Sequence, residues 1–180
     1  GAKPGLLFVS MLGEPGRYDP AIFATVDGGD DEVFWFRSML AHNGLLDLVE
    51  FSGVHVTRGE ALPDADDFDA IILGGSFHSV HDDRPWQSLL KEWLKGPRVA
   101  KTPVFGICGG HQLMSVMDGA TVDTIPDGPM ASTLTVSLTD AGRSHFLFQG
   151  MIEPMTFHFG NYERVQNPPA TYKVLAADDH

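Results

Sequence analysis

The stretch VFGICGGHQLM, Val104 to Met114, does most to limit how this chain can fold. A short apolar run passes directly into Gly106-Ile107-Cys108-Gly109-Gly110, and Leu113, Val116 and Met117 then recur at helical spacing with Gly119 behind them. That order predicts a buried strand, a tight turn and an amphipathic helix. The only cysteine of the chain sits on the turn. A second apolar run, Ala70 to Leu73, also ends in paired glycines, Gly74 and Gly75.

The rest of the first two thirds keeps the same rhythm. GLLFVSML (5–12) reads as a strand and the Gly/Pro/Asp-rich segment 13–31 as a loop or flap. Val33, Phe36, Met39 and Leu40 mark a helix, with Asp and Glu ahead of it as punctuation, and residues 45–56 form a second strand. Pro85 opens a helix whose buried face is predicted to be Trp86, Leu89, Leu90, Trp93 and Leu94. Strands alternating with helices predict an α/β fold, a three-layer sandwich with a mainly parallel central sheet. The tail changes rhythm: residues 131–140, 154–165 and 171–177 read as strands with little helix between them. The whole chain, 1–180, is expected to be one domain.

Gly-Ile-Cys-Gly-Gly matches the G-x-nucleophile-x-G turn, on which a reactive side chain is held out at the start of a helix. The helix N-terminus is expected to favour the Cys108 thiolate, and the Gly109 N–H to face an oxyanion forming on an attacked carbonyl. Parallel neighbours would bring the Gly75 N–H to the same sheet edge as a second donor. The pattern alone equally describes a buried thiol among small neighbours. The strand before it, the helix after it and the second Gly-Gly strand end favour the nucleophile.

GICGGHQL resembles the nucleophile motif of the class I glutamine amidotransferases, G-[IV]-C-x-G-x-Q, and AIILGGSFHSVHDDRPW is similar to that family's oxyanion strand and following loop, most closely in the branch of the amidotransferase domain of GMP synthetase. The resemblance runs from about Asp69 to the end of the chain. It implies a flavodoxin-like sheet and hydrolysis of the glutamine side-chain amide through a glutamyl thioester, giving glutamate and ammonia for a partner synthetase domain or subunit. Carried onto this sequence, Cys108 is the nucleophile, Gly75 and Gly109 are the oxyanion donors, and Gln112, Asn161 and Tyr162 contact the substrate, glutamine or a γ-glutamyl compound. A histidine is commoner than asparagine at position 161.

The family's base and its orienting carboxylate lie in a His-Pro-Glu segment after the strand that corresponds to VLAADD, and none of the eight histidines here sits in such a segment. Three accounts stay open: a base beyond His180 in a longer protein, a degenerate relative, or a replacement histidine. The first is the expectation carried forward. His158 is the best internal substitute, although a core histidine with a backbone partner is its simpler role. Rival functions are a γ-glutamyl peptidase, a cysteine-based α/β-hydrolase, for which Asp123, Asp127 and Asp140 could supply the acid, and a non-catalytic amidotransferase-like binding domain.

The formal net charge of -12, with no cluster of Lys or Arg, argues against nucleic acid and anionic membranes as partners. No apolar run approaches the roughly 20 residues that span a bilayer. One cysteine permits no internal disulfide, and a reducing cytoplasm is the expected location. No cofactor and no metal are expected: His78 and His81 have His-x-x-His spacing, but the same loop serves the resembled family without a metal. His111 is expected to face away from the thiol, and Trp86, Trp93 and residues 33–36 to be core.

Overall fold

A computed structural model describes residues 1–178. The chain divides into two compact units, Gly1–Met117 and the residues from Asp118 on.

The first unit is built on four parallel strands, β1 (Gly5–Ser10), β2 (Glu50–His55), β3 (Ala70–Leu73) and β4 (Val104–Gly106), in the spatial order β2-β1-β3-β4. β1 is central and almost wholly apolar, and Leu7, Phe8, Val9 and Met11 are at most 2% exposed, as a strand covered on both faces requires. Three helices follow their strands: α1 (Glu32–His42), α2 (Pro85–Ala100) and α3 (Gly109–Met117). Asp31 caps α1 by accepting the Phe34 N–H at 3.0 Å. The chain leaves β1 toward β2 and returns on its other side to β3, so the strand order reverses between β1 and β3. Open α/β sheets place their ligands at the carboxyl ends of strands at such a point.

Three local expectations are corrected. Residues 45–48 are not strand: Leu46–Leu48 form a 3₁₀ turn after left-handed Gly44, and Leu45 and Leu48 are exposed. Leu89 is 67% exposed, because the buried row of α2 is Trp86, Leu90, Leu94 and Pro97, and Leu89 lies to one side of it. Met39 is likewise exposed on α1, where only Leu40 is fully buried.

The second unit is antiparallel. β5 (Thr121–Thr124) pairs with β8 (Glu163–Gln166), and β6 (Met130–Leu138) lies between β7 (Met155–Asn161) and the two-residue β9 (Ala176–Ala177). A one-turn helix, α4 (Asp140–Arg143), is capped by Thr139. Only 176–177 of the strand expected over 171–177 is strand. The strand expected over 154–165 is broken at Tyr162 into β7 and β8, which pair with different partners, and β5 was not expected as a strand, because its polar residues give little alternation.

Candidate functional site

The carboxyl ends of β3 and β4 lie side by side, with Leu73 in register with Gly106. Ile107 N–H donates to the Leu73 carbonyl at 2.9 Å, and Gly110 N–H to the Gly74 carbonyl at 3.0 Å, so the turn is stitched to its neighbour on both sides of the cysteine. The glycines answer to these contacts. A Cβ on Gly106 would meet the His111 backbone nitrogen at 2.6 Å, and one on Gly110 the Leu73 carbonyl oxygen at 2.7 Å. One on Gly109 would meet the Ser76 nitrogen at 2.9 Å.

Cys108 carries the conformational cost of this turn. Its φ is 49°, the left-handed region that side chains with a Cβ rarely adopt. It is exposed, which removes the reading of a buried structural thiol. The Gly109 N–H favours the thiolate, but desolvation by the surrounding protein is the larger effect and pushes the thiol above its ordinary value, with the Glu32 carboxylate adding to the rise. The pull of the helix N-terminus expected for the thiolate is thus opposed here by desolvation from the protein on the covered side of the thiol. Gln112 opens α3 with its N–H on the Cys108 carbonyl at 2.9 Å.

Gly75 stands beside the thiol, and a Cβ built on it would lie 3.9 Å from that of Cys108. Its N–H, with that of Met11, favours the ionised form of Glu32. Ser10 Oγ donates to Glu32 Oε1 at 2.9 Å, and Ser10 is completely buried. Burial raises the Glu32 carboxyl to about 7. This group was missed in the sequence, where Asp31-Glu32 read simply as the acidic start of a helix; only Asp31 caps. Glu32 borders a cavity of about 300 Å³.

Segment 13–31 is packed rather than loose. Tyr18 and Phe23 pack against Phe77 with tilted rings, Phe23 likewise against Trp35, and Tyr18 Oη donates to Asp30 at 2.7 Å. Arg84 Nε and Nη2, one edge of the guanidinium, donate to the two oxygens of Glu14, which holds its carboxyl below the usual range. His78 Nε2 accepts the Glu14 N–H at 3.0 Å, and His78 Nδ1 lies 3.6 Å from Asp82. Among the described residues no three His, Cys, Asp or Glu side chains converge as metal ligands.

Asn161 and Tyr162 belong to the second unit. Asn161 Nδ2 donates to the Glu163 carbonyl at 2.8 Å, and the Tyr162 ring is 74% exposed. His158 is corrected from a core residue to an exposed one, with Thr133 Oγ1 2.7 Å from its Nδ1 across β6 and β7. The expectation attached to His180 lies outside the described residues. Among those residues no helix is long and apolar enough to cross a membrane.

Residues 36–180 match the glutamine amidotransferase class-I family. The glutamine amidotransferase-like protein chyE of Penicillium rubens is 29% identical over 146 residues, covering 78% of this chain and 59% of that protein. A glutamine-hydrolyzing GMP synthase subunit from Sulfolobus acidocaldarius is 23% identical over 150 residues, covering 82% and 76%. The chain thus spans less than two thirds of the Penicillium relative. A glutamine amidotransferase structure from Thermotoga maritima superposes with a TM-score of 0.68 at 12% identity, over 91% of this chain and 63% of that one, a likeness of fold.

Proposed function

Because the chain belongs to the class-I glutamine amidotransferase family, we propose that Cys108 is the nucleophile that opens the side-chain amide of glutamine. The observation that carries this reading is the strained and exposed turn. A left-handed cysteine held between glycines that admit no Cβ is a conformation the fold maintains at a cost of order 1–3 kcal/mol.

The sulfur adds to the γ-carbonyl carbon, the oxygen takes up negative charge, and the carbon–nitrogen bond breaks to release ammonia. Water then splits the thioester into glutamate and the free thiol. The Gly109 N–H is one oxyanion donor and Gly75 the other. Gly75 serves in this way once the charge of Glu32, which draws the same N–H, is met by a proton or by the positive charge developing on the leaving nitrogen. Gln112, Asn161 and Tyr162 contact the substrate, and the ammonia passes to a synthetase domain or subunit. Residues 1–180 act as one amidotransferase domain, in the cytoplasm.

The test is glutamate release from glutamine by the natural full-length protein and its Cys108→Ser variant. Release that disappears with the sulfur supports the assignment; equal release from both overturns it.

A further inference from the structure

The cavity beside the cysteine is larger and greasier than glutamine hydrolysis needs. It holds about 300 Å³, with Phe8, Trp35, Phe36, Met39 and Ile107 on its walls and Gly74 and Gly75 at its edge. Ammonia is about the size of water, which occupies roughly 30 Å³. The leaving group of glutamine would rattle in this space and gain nothing from an aromatic wall.

Its position is that of a ligand site. β1 contributes Phe8, α1 contributes Trp35, Phe36 and Met39, and Gly74 and Gly75 follow β3, so the space opens where the strand order reverses. Ile107 immediately precedes Cys108, and Gly75 flanks the thiol. A group seated here touches Ile107 and Gly75, the neighbours of the thiol.

The polarity of the wall narrows the ligand. Among the described residues Glu32 is the one ionisable side chain on it, and its charge is met by the Ser10 hydroxyl and two backbone N–H groups rather than by a cation. A carboxylate in an apolar pocket is compensated best by a ligand that brings a positive charge or N–H donors together with apolar bulk.

We infer that this cavity seats an apolar primary amine, the leaving half of a γ-glutamyl amide, with its nitrogen against Glu32 and its carbon frame among Trp35, Phe36 and Met39. The inference rests on Cys108 attacking a γ-carbonyl. The sulfur–carbon bond forms, the carbon–nitrogen bond breaks, and the thiol proton departs on the amine. Water then cleaves the thioester to glutamate and thiol. Glutamine is the smallest member of this substrate class.

Two measurements separate this site from the hydrolysis itself. Phenethylamine binding is followed by calorimetry on the full-length protein and on Glu32→Gln, which loses the charge, and Met39→Trp, which fills the space. Binding to the native protein that weakens about tenfold or more in both variants is expected, since such a factor reflects about 1.4 kcal/mol. No binding, or binding that neither variant changes, overturns the assignment. The ratio of kcat/KM for γ-glutamyl phenethylamide to that for glutamine should then favour the phenethylamide by about tenfold and fall in Met39→Trp. A native preference for glutamine overturns the proposal. Variant-sensitive amine binding with cleavage of neither compound upholds the amine site and overturns the hydrolytic reading of Cys108.

Discussion

Glu32 Oε1 lies 2.9 Å from Ser10 Oγ, so the first residue of α1 is tied to the last residue of the central strand through a hydroxyl that solvent does not reach. Burial dominates and raises the carboxyl from 4.5 to about 7. Below pH 4.5 the group is neutral in both folded and unfolded chains. Between 4.5 and 7 the unfolded chain ionises first, and stability falls as pH rises, by about 3 kcal/mol in all, each tenfold change in proton affinity being worth about 1.4 kcal/mol. Glu32→Gln escapes this loss. The difference in melting temperature between Glu32→Gln and the native protein should widen from pH 4.5 to 7 and level off above it; a constant difference would falsify the burial of this charge.

The same carboxylate bears on the thiol. Ionised Glu32 adds to the rise that burial imposes on Cys108. Removing its charge in Glu32→Gln should lower the thiol toward its ordinary value and raise the iodoacetamide alkylation rate at pH 8 by about threefold. A slower or unchanged rate would mean that the two groups do not communicate.

Cys108→Gly should be more stable than the native protein by about 1 kcal/mol, since glycine adopts the φ of 49° at this turn without steric cost. Cys108→Ser keeps the Cβ and should show no such gain. Urea midpoints of the two variants decide this, and a destabilised glycine variant would show that the turn holds no strain.

Gly110→Ala and Gly96→Ala form a matched pair. The first would press a Cβ to 2.6 Å from that of Leu73, on a strand that cannot retreat, and should cost about 1–3 kcal/mol. The second, inside α2 and away from every other element, sets its helix propensity against the ring of the following Pro97 and should shift stability by less than about 1 kcal/mol. Chemical denaturation of both proteins gives the sign of each change.

The β3 and β4 strands and the turn at Cys108 were legible because their signal is local: an apolar run stopped by glycines has few other conformations. The adjacency of Gly75 and Cys108 also followed, since parallel neighbours bring their carboxyl ends to one edge. Glu32 was not legible. An acid at a helix start is ordinarily solvated, and only the fold of residues 10–12 and 74–75 around it turns it inward. The direction of the Cys108 shift was missed for a related reason: a helix N-terminus is visible in a sequence, whereas desolvation belongs to the tertiary surroundings. β5 escaped because Thr121–Thr124 has a single buried residue, Val122, too little to set a period.

The backbone approaches around Gly106, Gly109 and Gly110 have a mechanical consequence. With no slack on either side, the position of the Cys108 backbone and Cβ is inherited from the spacing of two strands, about 4.8 Å, and the sulfur is left only rotation about χ1. The Cβ behaves as a fixed post, and any group that is to meet the sulfur must be carried to it and turned into line. Whatever selectivity the thiol shows is thereby left to the walls around it, and can be altered there without disturbing the post.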